Sequence, residues 1–199
     1  MIWVVTAPDT VPDEASILYD LFSAGLETLL LRKPGWSATE YEALVQNVPP
    51  GFRNRIMLAG YPELVEPYGL KGLHLSERLR GIIPSRETAV FRASGFFVST
   101  SIHSAGEFSA NGSAMTNNTP SDWDYLLLGP VFDSISKAGY RAQHFDDVPY
   151  NAIGIGGITP CNAGKVKGMG FYGAALLGAV WQEPEQAVEV FMKAKQSWE

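Results

Sequence analysis

Apolar and polar positions along this chain alternate in short blocks. Apolar runs of strand length recur at Ile2–Thr6, Thr28–Arg32, Ile56–Ala59, Gly72–Leu75, Phe96–Ile102, Tyr125–Phe132, Ala152–Ile158 and Phe171–Leu177. Runs this short, set off by turn residues, read as buried strands. Between several of them the period lengthens to that of a helix. Pro12–Ala24 carries Ile17, Leu18, Leu21 and Phe22 at helical spacing and stops at Gly25. Ser37–Val48 opens on Ser37-Ala-Thr-Glu40, a capping box in which each side chain serves the other residue's backbone N–H. Pro160–Gly168 and Pro184–Trp198 complete the set, the last with Ala187, Val188, Phe191 and Ala194 on one face.

Strands alternating with helices imply parallel pairing through right-handed crossovers, and eight strands favour closure. The predicted fold class is therefore α/β: a compact (β/α)8 TIM barrel, a single domain over residues 1–199, with one or two shortened helices. A doubly wound sheet would carry its glycine fingerprint after the first strand, and Thr6-Ala-Pro-Asp-Thr has no glycine. Two connections are thin. Phe145–Tyr150 is too short for a full helix, and Ser104–Trp123 is broken by Asn111-Gly-Ser and Asn117-Asn-Thr-Pro.

Composition narrows the function classes. A hydrophobic content of 46% with 18% charged residues describes a globular chain, and the net charge of −6 argues against nucleic acid or an anionic membrane as partner. The one cysteine, Cys161, excludes an intramolecular disulfide, and no apolar stretch approaches the ~18 residues of a membrane span. The expectation is a soluble cytoplasmic protein. The residues carry no signal for oligomeric state, and a homodimer stays open.

The chemistry of such a barrel sits where strands end and the following loops begin. Ala152-Ile-Gly-Ile-Gly156-Gly157-Ile-Thr runs an apolar strand into paired glycines and a Thr-Pro that can cap a helix. Glycines admit an anion to backbone N–H groups, and a helix start adds its positive end. A second glycine-spaced segment, ending at Gly178-Ala179, repeats the theme. Strand two ends in Arg32-Lys33, adjacent cations that suit a phosphate or simply a solvated strand end. His74 shares the parity of Ser76 and reads either as a hydrogen-bonded structural group or as a base. Ser99, Ser101 and His103 share one face of strand five and would line a polar pocket. Ser134, Ser136 and Lys137 follow strand six in a glycine-flanked loop that reads as an anion clamp or as a mobile polar loop.

Taken in order, Leu31-Arg-Lys, Gly72-Leu-His-Leu, Ser101-Ile-His-Ser, Asp124-Tyr-Leu-Leu-Leu-Gly-Pro-Val-Phe with Ser-x-Ser-Lys, and Gly154-Ile-Gly-Gly-Ile-Thr resemble the thiamine phosphate synthase/TenI superfamily. The resemblance covers nearly the full length. It implies a thiamin-biosynthesis enzyme that binds thiazole phosphate. Arg32 then matches the family's strand-two arginine, Ser134, Ser136 and Lys137 its Thr-x-Thr-Lys clamp, and Gly156, Gly157, Gly178 and Ala179 its phosphate-binding positions. Synthases couple thiazole phosphate to hydroxymethylpyrimidine diphosphate with Mg2+, held by aspartates after strands three and four. Here those segments read Leu58-Ala59-Gly60 and Ser76-Glu77-Arg78-Leu79, with neither aspartate present. Glycine and leucine side chains offer a hard cation nothing.

The resemblance therefore favours the TenI-like branch, a thiazole tautomerase that needs a placed acid or base and no cofactor. The histidine of characterised tautomerases is replaced by Pro130, so His103, His74 or Glu77 would handle the proton. A synthase with an unorthodox metal site and a non-catalytic thiazole-phosphate binder are the competing expectations. An unrelated phosphate-binding barrel fits the glycines but not the Ser-x-Ser-Lys loop.

Overall fold

Eight parallel strands close on themselves in chain order: β1 (Ile2–Val5), β2 (Thr28–Leu31), β3 (Ile56–Ala59), β4 (Gly72–Leu75), β5 (Phe97–Ile102), β6 (Tyr125–Leu128), β7 (Ala152–Ile155) and β8 (Gly173–Leu176). The ring closes where β8 pairs with β1 through Ile2 and Ala174. The structure is a computed structural model and describes residues 1–103, 122–133, 139 and 141–199. The predicted (β/α)8 barrel is the observed one.

Alternation along each strand divides the core in two. Outward residues such as Val4, Leu29, Leu58, Leu75, Val98 and Leu128 pack against the surrounding helices. Inward residues Trp3, Val5, Leu30, Met57, Tyr125, Leu127, Ile153 and Ala175 fill the lumen, with Trp3 and Tyr125 edge to face at 5.0 Å. The lumen is apolar on the β1–β2 and β6–β8 side. On the β4–β5 side it holds His74 and Ser99, both buried.

The helices are α1 (Glu14–Ser23), α2 (Ala38–Asn47), α3 (Pro50–Arg53), α4 (Glu77–Arg80), α5 (Ser85–Ala93), α6 (Ala163–Gly168), α7 (Gly178–Trp181) and α8 (Ala187–Trp198). The capping box of α2 forms as read: Glu40 N–H donates to Ser37 Oγ, and Ser37 N–H to the Glu40 carboxylate at 2.7 Å. Helix α5 escaped the periodic reading for a physical reason. Among its described side chains only Thr88 is buried, so no apolar stripe marks it. None of the helices among the described residues is long and apolar enough to cross a membrane.

Three of the boundaries that differ from expectation shape the barrel mouth. β6 stops at Leu128 rather than Phe132, because Gly129 runs so close to β7 that a β-carbon there would lie 2.0 Å from the Ile155 carbonyl oxygen. Backbone pairing still continues, with Val131 N–H donating to Ile155 O and Phe132 N–H to Gly156 O. β7 stops at Ile155, since Gly156 and Gly157 turn to φ +99° and +63°. Helix α6 starts at Ala163, not Pro160. Asn162 ties the intervening turn together, accepting from Thr159 N–H and donating to the Gly157 carbonyl. The Thr-Pro pair thus forms a turn, and the helix start stands back from the glycines.

Candidate active site

The carboxyl ends of the strands enclose an axial cavity of about 340 Å³ at the barrel mouth. One wall is built from backbone. Gly129 and Pro130 after β6, Gly156 after β7 and Leu177 after β8 line it. Gly157 locks this wall from behind: a β-carbon there would lie 2.3 Å from the Asp133 carbonyl oxygen. Gly178 and Ala179 open α7 immediately beyond Leu177. Ser134, Ser136 and Lys137 lie outside the described residues.

The opposite wall is built from side chains: Arg32, Ser76, Glu77, Arg78, Ser101 and His103. Ser76 is the N-cap of α4 and accepts from Leu79 N–H, which brings Glu77 and Arg78 into the first turn, over the mouth. His103 Nε2 stands 3.7 Å from the Glu77 carboxylate, both groups being more than half exposed. Arg80 donates to the Ser101 carbonyl at 3.2 Å and holds the end of β5. Thr6 does the same for β2: its hydroxyl donates to Arg32 O and accepts from Arg32 N–H.

His74 sits beneath this wall. Its Nδ1 is 2.9 Å from Ser99 Oγ and its Nε2 3.1 Å from Ser101 Oγ. Burial, and secondarily the charge of Arg32, push its pKa down to about 3. An imidazole that remains neutral, with both nitrogens engaged, orients the Ser101 hydroxyl. It is poorly placed to exchange a proton with a ligand.

Lys33 departs from the expected pair of adjacent cations. Successive residues alternate sides, so Arg32 faces the mouth and Lys33 turns outward toward α1. Its ammonium is buried, 2.6 Å from Glu14 Oε2 and 2.7 Å from the Asp9 carbonyl. Burial pushes the Glu14 carboxyl upward and the bond to Lys33 pulls it back. The Lys33 ammonium is thus held in an ion pair, and Lys33 borders the lateral side of the mouth and not the axial cavity.

A second, lateral cavity of about 500 Å³ adjoins the first on the β2–β4 side and shares Arg32, Ser76 and Arg78 with it. This is where Gly60 and Leu79 replace the carboxylates expected of a synthase. The two positions face each other, a β-carbon on Gly60 falling 3.7 Å from Leu79 Cδ1. The nearest acid, Glu77, faces the axial cavity and His103 instead. Among the described residues no three His, Cys, Asp or Glu side chains gather as a metal set. A leucine, a glycine and two guanidinium groups do not fit Mg2+, which requires hard oxygen donors.

Reading the sequence alone missed Arg78, although Ser76 at a strand end carried the signal that a helix turn would begin there. It also missed Thr6 and Glu14, whose roles come from contacts distant in sequence.

A closed parallel barrel with its polar groups gathered at the strand carboxyl ends places this chain among the (β/α)8-barrel proteins. More narrowly, residues 2–180 match the thiamine monophosphate synthase family, and the chain belongs to that family. It is 27% identical to the thiamine-phosphate synthase of Laribacter hongkongensis, over 79% of this chain and 75% of that one. Among solved structures, the thiamine phosphate pyrophosphorylase of Bacteroides thetaiotaomicron superposes with a TM-score of 0.73 at 26% identity, covering 98% of this chain and 96% of its own. The thiamine phosphate pyrophosphorylase of Pyrococcus furiosus shares the fold, with a TM-score of 0.73 at 19% identity over 99% and 94% of the two chains.

Proposed function

We propose that this protein is a metal-independent tautomerase of its family, moving a proton on a phosphorylated thiazole carboxylate so that the ring becomes aromatic. The observation that carries the reading is the His103–Glu77 pair, which opens on the same cavity as Arg32, Arg78 and Gly156. Arg32 and Arg78 hold the substrate carboxylate, and Ser101, oriented by His74, hydrogen-bonds the ring. The phosphate lies at the opposite, backbone-built wall, against Gly156, Gly157, Gly178 and Ala179. Substrate and product are isomers: one proton leaves a ring carbon to the imidazole–carboxylate pair and one returns at the second carbon, so no co-reactant is consumed. No cofactor is required.

The names of the relatives support a second reading, a synthase that joins thiazole phosphate to hydroxymethylpyrimidine diphosphate with Mg2+. One experiment separates the two. The protein is incubated with the thiazole carboxylate phosphate in D2O and followed by proton NMR, and separately with thiazole phosphate and the pyrimidine diphosphate, with and without Mg2+. The tautomerase reading expects isomerisation that persists in EDTA and disappears in His103→Asn. Magnesium-dependent formation of thiamin phosphate, with no isomerisation, overturns it.

A further inference from the structure

The end of the barrel opposite the mouth carries an amine that the chemistry at the mouth does not use. Lys71 precedes β4, and its backbone is fixed on both sides: its N–H donates to Ile56 O, and its carbonyl accepts from Phe97 N–H. Its side chain lies across the first residues of three strands. Nζ donates to Thr28 Oγ1 at the start of β2, and it stands 5.4 Å from the ring centre of Phe97 and 5.7 Å from that of Tyr125, which open β5 and β6. These two rings stack at 5.7 Å, and Trp3 meets Tyr125 edge to face behind them. Among the described residues no carboxylate comes within ion-pair distance of Lys71. Other lysines are held differently. Lys33 pairs with Glu14, Lys193 pairs with Glu189, and Lys167 donates to two carbonyls, while Lys165 is exposed.

A half-buried ammonium set between two rings and one hydroxyl holds its charge poorly. Burial pushes its pKa down, and the charge of Glu27 pulls it back only in part. The neutral amine is the nucleophilic form. The surroundings also suit an acylated product. An amide has no charge to desolvate, its N–H can donate to Thr28 Oγ1 as the ammonium does, and the rings offer apolar cover to a short acyl chain.

We infer that Lys71 is a modification site, at which a small acyl phosphate acylates Nζ. The amine lone pair attacks the carbonyl carbon. The N–C bond forms as the C–O bond to phosphate breaks, the phosphate leaves with that electron pair, and the surplus proton on nitrogen passes to water. Lys71 lines neither cavity of the mouth, so its acylation is independent of the reaction performed there.

The full chain is treated with acetyl phosphate at neutral pH, and acetylation of Lys71 and of the exposed Lys165 is followed over time by peptide mass spectrometry. Lys71 is expected to react about tenfold faster than Lys165. In unfolding urea the two rates should converge, since the advantage belongs to the folded surroundings. Phe97→Ala, at a position 40% exposed, strips one ring from the amine and admits water. The Lys71 rate should then fall toward that of Lys165 although access improves, whereas Phe97→Leu, which keeps an apolar cover, should retain most of it. A Lys71 rate no greater than that of Lys165 overturns the inference, as does a difference that persists in urea. A faster rate in Phe97→Ala also overturns it, because access and not the surroundings would then control the reaction.

Discussion

The two walls of the axial cavity are made in different ways. The β6–β8 wall is backbone: Gly129 and Gly157 press against neighbouring carbonyls and Gly156 against Pro130, leaving no room for a β-carbon. The β2–β5 wall is side chain: Arg32, Glu77, Arg78, Ser101 and His103 project from strand ends and from one helical turn. A backbone wall holds its shape through steric exclusion and is intolerant of any substitution. A side-chain wall holds its chemistry through charge and hydrogen bonds, and its exposed members can change with little cost to the fold. Binding that must be shared across a family suits the first, and reaction specificity suits the second.

The sharpest break of that comparison is Gly129→Ala. A β-carbon 2.0 Å from the Ile155 carbonyl oxygen forces the β6–β7 backbone apart. The expected loss is about 4 kcal/mol or failure to accumulate folded protein, read by thermal melting. Next comes the buried pair behind the other wall. Glu14→Ala strands the Lys33 ammonium and should cost about 3–5 kcal/mol, whereas Glu14→Leu with Lys33→Met should recover most of it.

On the side-chain wall the effects shift from folding to turnover. Under the tautomerase reading His103→Asn should lower kcat about 10²-fold or more, with the melting temperature within a degree or two of the parent. Glu77→Gln should follow it in direction. An unchanged kcat in both would remove the pair from the chemistry.

The most diagnostic effect belongs to His74, and it is the smallest only near neutral pH, growing as the solution is acidified. Its folded pKa of about 3 lies below the ordinary 6.5, so below pH 6.5 the unfolded chain binds a proton that the folded chain refuses. Its contribution is complete above pH 6.5 and drains as the pH falls toward 3, at up to about 1.4 kcal/mol per pH unit. Denaturant unfolding across that window should show a shallower slope in His74→Asn. An identical slope would mean the imidazole is not held neutral.

These walls also explain what could be read in advance. The strand runs, the glycine pair and the capping box were legible because each is a local rule, set by alternation, a missing β-carbon or i to i+3 hydrogen bonding. Helix α5 was not, since a helix with no apolar stripe leaves no periodic mark. Arg32 and its neighbour Lys33 were assigned to the same task, and only the alternation of the chain past the strand end separates them, leaving Arg32 on the cavity wall and Lys33 on Glu14. Arg78 was overlooked for the reverse reason: it lies in a loop by sequence and gains its place only from the Ser76 cap.

The sequence by itself determined the eight-stranded alternation, the glycine-built wall and the absence of the two carboxylates at positions 60 and 79. Those follow from residue identity and short-range geometry. Only the tertiary structure decided which charges face the mouth and which are consumed inside. It buried Lys33 on Glu14, enclosed His74 between two serines, paired His103 with Glu77, and left Arg32 and Arg78 on the wall between two cavities. The physical reason is that a charge acquires its role from its partner, and partners far apart in the chain meet only when the barrel closes.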